Sequence, residues 1–184
     1  FKENNKVEEL ANKYNLQQSC LQLGFYLASW GMLRGSSFLL EKSVRYYTTL
    51  IKEIAKFDKE IWNIDVDSYS DDNIKLLLRC KSMIYEALGG EENDPSDILI
   101  TKIMLGIFGN IPAFDTYFKK GFCVSYCGKN QLKKIAEFYK NSKEIIDVYS
   151  DKTFTFDFLS GKETKRKYTK AKIIDMIGFI EGQK

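Results

Sequence analysis

The chain has 184 residues, 44% hydrophobic, 14% aromatic and 29% charged, a composition too apolar for a disordered chain and too often interrupted by charge for membrane-spanning segments. Its 28 lysines and arginines against 25 acids give a formal charge of +3, so the bulk charge places it outside the strongly basic nucleic-acid binders. A chain of this length buries roughly 70% of its unfolded surface, enough for a core without disulfides or metal. We therefore expect one soluble globular domain over residues 1–184.

Apolar residues recur at intervals of three and four through most of the chain, and its two prolines are Pro95 and Pro112. This spacing is typical of α-helices rather than of strands. No internal repeat or low-complexity linker divides the sequence. The pattern predicts an all-α fold, a compact single-domain bundle of about seven to nine helices.

The first third of the chain carries strong helical signals. An amphipathic stripe covers 7–14, and a nearly all-buried helix follows over 16–33, with Gly31 and Gly35 marking its end. A serine-capped helix with a long apolar stripe is predicted next, over about 37–57.

The remaining two thirds alternate helical segments with polar turns. The segment 58–70 mixes acids with large apolar residues and fits a short helix or an extended connection equally well. Ser70 followed by two aspartates is typical of a helix start. Further helices are predicted over about 71–88, 96–108, 112–119, 130–149 and 168–181. The alternating stretch 153–158 has the period of a β-strand, but no second strand is evident to pair with it.

The chain contains no histidine, which excludes Ser-His-Asp and Cys-His triads and removes the commonest metal ligand. Its cysteines lack the paired C-x2-C spacing of zinc sites and match no redox motif, so we expect reduced thiols, no metal and no cofactor. No basic-then-apolar leader opens the sequence, and Phe1 suggests a chain that begins inside a longer one, so we expect a cytoplasmic protein. The cysteines are Cys20, Cys80, Cys123 and Cys127.

The first candidate site is the segment SWGMLRGSSF over 29–38. Backbone N–H groups at a helix start, the hydroxyls of Ser36 and Ser37 and the guanidinium of Arg34 would converge on a phosphate or a carboxylate. The Walker pattern is absent, so this is not a P-loop. A tight helix–helix corner, in which Arg34 bonds exposed carbonyls, explains the same residues, and both interpretations stay open.

The second candidate is the acidic segment IDVDSYSDD, with carboxylates at 65, 67, 71 and 72. Oxygen ligands of this kind suit calcium or magnesium, but the glycine and the twelfth-position glutamate of an EF-hand are both missing. We interpret the acids as stabilising a helix start and predict no metal ligand.

The third candidate is the basic run GKETKRKYTKAK over 161–172, which carries six positive charges and one negative. The rest of the chain is then slightly acidic, so all of the net positive charge is local. Clustered cations with an interleaved tyrosine are typical of a surface that binds a nucleic-acid backbone. The alternative is a solvated loop that leads into the final helix. The predicted nucleic-acid contacts are Lys165, Arg166, Lys167 and Lys170.

The fourth candidate, ITKIMLGIFGNIPAFDTYFKKGF over 100–122, has Lys102 on an apolar helix, then a turn, Pro112 and Asp115 before aromatic residues. This order resembles the lysine-to-aspartate portion of helix-hairpin-helix DNA glycosylases and related all-α domains. The resemblance implies that Asp115 activates a nucleophile or stabilises positive charge at the sugar, and that Lys102 forms a Schiff base. A desolvated lysine does become nucleophilic. Alternatively, Asp115 caps a helix and Lys102 extends from a core helix to solvent.

Aromatic side chains offer either a base-stacking pocket or core packing, and core packing is the commoner use. Three hypotheses follow: a non-catalytic nucleic-acid or partner-binding module, which we rank first, a glycosylase-like enzyme centred on Asp115, and a structural or oligomeric domain. We expect no membrane association and leave a homo-oligomer or a protein partner open. The aromatic residues considered are Trp30, Tyr46, Tyr47, Trp62, Tyr117, Phe118, Tyr126 and Tyr168.

Overall fold

The computed structural model describes residues 6–157 and 159–184. Within them the fold is all-α, as predicted: eight α-helices are accompanied by one two-stranded sheet and several short 3₁₀ helices. The helices are α1 (Leu16–Ser29), α2 (Thr48–Lys56), α3 (Asp71–Ala87), α4 (Asp97–Ile107), α5 (Thr116–Phe122), α6 (Lys129–Asn141), α7 (Lys143–Lys152) and α8 (Lys170–Gln183). The strands are β1 (Phe154–Phe156) and β2 (Glu163–Lys167).

Capping signals in the sequence mark several helix ends correctly. The side chain of Ser70 accepts a hydrogen bond from the Asn73 N–H at the start of α3. Ser96 does the same for α4, accepting from Leu99. After α3 the chain turns at Gly89, whose φ of +94° lies in the left-handed region that glycine adopts without strain.

The single helix predicted over 37–57 is wrong. Two 3₁₀ helices, Phe38–Glu41 and Val44–Tyr47, precede α2, and the backbone at Lys42 and Ser43 between them is extended. The β-branched and aromatic residues of the second 3₁₀ helix are weak helix formers. Only the part from Thr48 onward, where the apolar stripe is strongest, is α-helical.

Other helices differ from prediction at their ends. The segment predicted as one helix over 130–149 forms α6 and α7, which break at Ser142, because its non-helical backbone (φ −120°, ψ 18°) turns the chain between them. The helix predicted from residue 112 begins only at Thr116, because Asp115 is its N-cap and Pro112 lies outside it. The helix predicted over 16–33 already ends at Ser29, before Gly31 turns at a φ of +68°.

Two shorter segments resolve as 3₁₀ helices. The stripe predicted over 7–14 forms only Val7–Ala11, and Tyr14 is 79% exposed because it lies past the end of that helix. The segment 58–70, which the sequence left undecided, contains Lys59–Asn63 and Val66–Ser68.

The predicted strand does have a partner, contrary to expectation. β1 pairs antiparallel with β2, with Phe154 opposite Lys167 and Phe156 opposite Glu163. The partner strand lies within the basic run. Most of its side chains are exposed and charged, so its sequence lacks the apolar alternation that would predict a strand. The last residue of the predicted strand, 158, lies outside the described residues.

Helices α5 and α8 are packed together at glycines. A Cβ built on Gly121 would overlap the carbonyl oxygen of Gly178 and lie 3.0 Å from the backbone nitrogen of Gly182. The two backbones therefore approach closer than side chains would allow. This contact fixes the position of α8, whose N-terminal turn forms part of the candidate site.

The four cysteines are free. Burial raises the pKa of Cys80 and of Cys127 to about 12, so these thiols are protonated at neutral pH. Among the described residues no helix is long and apolar enough to cross a bilayer.

Candidate functional site

A groove of about 840 Å³ opens between α1, α4 and the connection from β2 to α8. Aromatic side chains form much of its wall, including Tyr26 on α1, Trp30 just beyond that helix, and Trp62 in a 3₁₀ helix. Phe108 and Tyr168 complete this set. The two tryptophans of the sequence therefore both line the same groove.

Three basic residues, Arg166, Lys167 and Lys172, also line the groove. Within the described part of the chain no carboxylate lines it. Lys167 forms an exposed ion pair with Asp151 at 2.8 Å. Lys172 pairs at 2.8 Å with Asp175, whose side chain is 6% exposed. The groove is thus lined by basic and aromatic residues. The two paired carboxylates, exposed Asp151 and buried Asp175, are not among the residues that line it.

Two ammonium groups lie close to the indole of Trp30. The Nζ atoms of Lys102 and Lys172 lie 5.0 and 4.5 Å from its ring centroid, within the range of cation–π attraction. Lys102 also donates a hydrogen bond of 3.3 Å to the Trp30 carbonyl oxygen. The two lysines fix the indole, and through it one wall of the groove.

Lys102 is 7% exposed and does not itself line the groove. Burial lowers the pKa of its ammonium, although the negative charges of Asp115 and Asp175 act in the opposite direction. Arg34 and Lys172 lower that pKa further by charge repulsion. The fold therefore brings Arg34, Lys102 and Asp115 near one another, together with two residues of α8.

Asp175 on α8 is the buried carboxylate of this cluster. Burial raises its pKa, while the ion pair with Lys172 and a 2.9 Å hydrogen bond from the Ala113 N–H lower it. The second bond joins α8 to the segment before α5. Asp175 therefore links Lys172, at the groove, to the chain that carries Asp115.

The N-terminus of α8 is occupied by the chain's own carboxylate. Asp65 accepts hydrogen bonds from the N–H groups of Lys170 and Ala171, at 2.8 and 2.9 Å, and Thr169 accepts one from Lys172. Burial raises the pKa of Asp65, whereas the hydrogen bonds from the Lys170 and Ala171 N–H groups act to lower it. Because Asp65 neutralises this helix end, no free anion site remains there.

The acidic segment serves two different α-helices. Asp71 and Asp72 lie in the first turn of α3, as the helix-start interpretation predicted. Asp65 and Asp67 instead act on α8, the latter through an ion pair with Lys170. The described residues contain no group of three or more potential metal-ligating side chains.

Ser37 and Arg34 of the predicted anion-binding segment make different contacts in the structure. Ser37 caps Phe38–Glu41, a 3₁₀ helix of four residues, by accepting from Leu39 at 3.3 Å. The Arg34 side chain instead packs over Gly31. The long helix predicted to begin at this segment is therefore a four-residue 3₁₀ helix, and the charge of Arg34 acts on Lys102.

The structure also places the predicted nucleic-acid contacts at two different locations. Arg166 and Lys167 line the groove, and Lys165 is exposed on the same strand. The ammonium of Lys170 instead lies 5.8 Å from the ring centroid of Tyr139 and pairs with Asp67.

Asp115, the predicted catalytic residue, is the N-cap of α5. Its carboxylate accepts a hydrogen bond of 2.9 Å from the Phe118 N–H.

Several residues of the site were not predicted from sequence. Trp30, Trp62 and Tyr168 of the proposed stacking set do line the groove, but Tyr26 and Phe108 were not in that set. Neither Lys172 nor Asp175 was among the predicted site residues. Their spacing of three on one helix signals an ion pair, but not its burial.

The fold and the groove together define a class: an all-α protein with a basic, aromatic-lined groove. No family model, no curated protein and no solved structure matches the chain.

Proposed function

We propose that this protein is a nucleic-acid-binding module that holds a sugar–phosphate backbone along β2 and the adjoining mouth of the groove. One observation carries the proposal: three basic residues and five aromatic residues line one groove, and no carboxylate of the described residues lines it. Phosphates are bound by clustered lysine and arginine, and bases by aromatic faces. Both kinds of contact are available on the same surface here.

The ion pairs at the groove are compatible with phosphate binding. Lys167 and Asp151 are both exposed, and such a pair is worth about 1 kcal/mol or less, so a phosphate can compete for the lysine. Lys165 is exposed on the same strand and extends the cationic surface beyond the groove. The slight net acidity of the rest of the chain favours docking by this surface rather than by another.

The test is the triple variant Lys165→Ala, Arg166→Ala, Lys167→Ala, titrated with labelled single-stranded DNA or RNA between about 50 and 200 mM salt. Each lost phosphate contact reduces the slope of log K against log salt by about 0.7. We expect the slope to fall by about 2 and the affinity at low salt to fall by roughly tenfold or more. Fluorescence anisotropy measures both quantities.

A matched control removes the same charge elsewhere: Lys133→Ala, Lys134→Ala, Lys140→Ala, three exposed lysines of α6, which does not line the groove. This variant should retain nearly the wild-type salt slope. An equal loss in both triple variants would mean that net charge alone drives binding, and a salt-independent affinity would contradict the proposal.

Lys102 favours a second function, imine chemistry on an aldehyde such as an abasic sugar. The supporting observation is a buried amine whose pKa burial lowers, with no carboxylate of the described residues in ion-pair distance. The neutral amine would add to the aldehyde carbon, and the carbinolamine would lose water to give an imine. Borohydride would then deliver hydride to the imine carbon and leave a stable secondary amine.

Trapping with borohydride on abasic-site DNA tests this second function. Lys102→Met should abolish the covalent adduct and should raise the free energy of unfolding by about 1 kcal/mol, because it removes a desolvated charge. Lys134→Met, which removes an exposed lysine of α6 outside the groove, is the control and should retain the adduct. An adduct that survives in Lys102→Met would exclude Lys102 as the amine.

A further inference from the structure

The hairpin formed by β1 and β2 exposes an aromatic ring. Phe156, the last residue of β1, is 67% exposed. Its ring makes no aromatic or cation–π contact within the described part of the chain. A single exposed apolar side chain is ordinary on a protein surface. This one, however, lies on the hairpin whose other strand carries Lys165 and Lys167. The ring is therefore accessible to any ligand that these lysines attract.

The strand register places a carboxylate beside this ring. Glu163 of β2 lies opposite Phe156, and opposed residues of antiparallel strands project to the same face with Cβ atoms about 5 Å apart. Glu163 is exposed and makes no ion pair or hydrogen bond among the described residues. It is also the one negative charge of the basic run 161–172. One face of the hairpin thus holds a flat apolar ring next to an unengaged acceptor.

Two cations lie along the same strand. Phe154 and Phe156 are alternate residues of β1 and share a face, so Lys167, which lies opposite Phe154, projects to that face as well. Between its two paired positions β2 has three residues where β1 has one, which makes a bulge. Lys165 lies in the bulge, is exposed, and makes no ion pair among the described residues. Ammonium groups therefore accompany the exposed ring.

Each of these groups fits a different part of a nucleotide. An exposed aromatic ring stacks on a base. An ionised carboxylate only accepts hydrogen bonds, so it selects a base with an exocyclic amino group, such as cytosine with its N4. Lysines bind the phosphates on either side. A single carboxylate inside a basic run has a purpose in this arrangement.

An anionic membrane surface fits the hairpin less well. Asp157 directly follows Phe156 in the chain, and Glu163 lies opposite it, and both carboxylates are exposed. Insertion of the ring among acidic lipids would bring both charges against charges of the same sign. A base, in contrast, offers amino groups that a carboxylate binds. The charges next to the ring therefore favour a nucleic acid.

We propose that Phe156 and Glu163 form a subsite for one unpaired base that carries an amino group. The base stacks on the phenyl ring and donates its exocyclic N–H to the carboxylate, while Lys165 and Lys167 contact the neighbouring phosphates. This inference rests on the proposed nucleic-acid binding and adds selectivity among bases to it.

The experiment compares four probes by titration of the full chain. Three are labelled strands of equal length, followed by fluorescence anisotropy: oligodeoxycytidine, oligodeoxyuridine and a strand of abasic sugars. Cytosine and uracil have rings of the same size, but uracil has an oxygen in place of the amino group. The fourth probe is a vesicle that contains phosphatidylserine, followed by co-sedimentation.

Two positions are varied, each with a matched control. Phe156→Ala removes the proposed stacking ring, and Phe25→Ala removes an equally exposed phenyl ring from α1, outside the groove. Glu163→Ala and Glu163→Gln alter the proposed acceptor, and Glu137→Ala removes an exposed carboxylate from α6. Circular dichroism melting verifies that each variant is folded at the temperature of the titration.

We expect the wild type to bind oligodeoxycytidine roughly threefold to tenfold more tightly than oligodeoxyuridine, and both more tightly than the abasic strand. Phe156→Ala should lose roughly fivefold or more in affinity for the two base-containing strands. Its affinity for the abasic strand and its salt slope should not change, because no phosphate contact is removed. Phe25→Ala should match the wild type.

The acceptor variants test the selectivity. Glu163→Ala should bind the cytosine and uracil strands equally, because the acceptor is missing. Glu163→Gln should also lose the preference, since its amide can donate to the uracil oxygen as well as accept from the cytosine amine. Glu137→Ala should keep the preference. A cytosine preference that survives in Glu163→Ala overturns the role of Glu163.

The outcomes separate this inference from the proposed function. Equal, salt-dependent binding of all three strands overturns the base subsite and leaves backbone binding intact. An equal loss in Phe156→Ala and Phe25→Ala overturns the assignment of the ring. Binding to vesicles that depends on Phe156, with no binding of any strand, contradicts both proposals and identifies a membrane surface as the ligand. No binding to any probe also overturns both.

Discussion

Gly121→Ala is expected to lower the free energy of unfolding by about 3 kcal/mol, because the added methyl group has no room between α5 and α8. A Cβ there would overlap the carbonyl oxygen of Gly178 and lie 3.2 Å from its carbonyl carbon. These are backbone atoms, which cannot turn aside as a flexible side chain can. The helices must separate, and the roughly 1 kcal/mol that alanine gains over glycine in helix propensity offsets only part of the cost. Chemical denaturation with a fixed m-value measures the loss.

Gly24→Ala is the matched control for this substitution. It also lies in a helix, α1, but the nearest atom to its Cβ is in the Tyr47 ring at 3.3 Å, which a small ring movement can relieve. We expect a change within about 1 kcal/mol of zero. Equal destabilisation by the two variants would show that helical glycines, rather than the α5–α8 contact, carry the effect.

The parts of the fold that sequence reasoning found depend on local physics. The side chains of Ser70 and Ser96 each accept a hydrogen bond from the backbone N–H three residues later, at the start of α3 and of α4. The aspartates after Ser70 stabilise the same end of α3. Such signals lie within one turn of the chain and need no partner. The all-α class follows from them and from the apolar spacing.

The errors fall where a distant contact decides the local structure. β2 reads as a solvated basic loop, since its exposed side chains carry no alternating apolar pattern, and only pairing with β1 makes it a strand. The break at Ser142 likewise lies inside a continuous helical pattern. Intrinsic propensity alone does not predict the secondary structure of a segment whose conformation depends on elements packed against it.

The candidate site shows the same division. Clustered charge made Arg166 and Lys167 predictable, and the amphipathic body of tryptophan marked Trp30 and Trp62 as candidates for stacking. That these residues share one groove depends on packing between elements far apart in sequence. The indole nitrogen of Trp62 is buried without a hydrogen-bond partner among the described residues, and this could not be predicted, because the pairing of a donor depends on its folded surroundings.

Asp65→Ala is expected to lower the free energy of unfolding by about 3 kcal/mol. The variant leaves the N–H groups of Val66, Lys170 and Ala171 without their acceptor and removes a negative charge from the N-terminus of α8. Because Lys172 lies in that first turn and lines the groove, nucleic-acid affinity should fall as well. Denaturant titration and anisotropy measure the two effects on the same preparation.

Asp65→Asn separates the charge of this side chain from its hydrogen bonding. Burial raises the pKa of Asp65 in the folded protein above its usual value of about 3.9, so ionisation is harder in the folded than in the unfolded state. Stability contributed by the protonated acid is then lost as the pH rises through the raised pKa, whereas asparagine does not titrate. The stability advantage of the wild type over Asp65→Asn should therefore be largest near pH 3 and shrink toward neutrality. An advantage that grows with pH would mean that the three backbone hydrogen bonds and the helix dipole outweigh burial, and that the carboxylate is bound at the α8 N-terminus chiefly as an anion.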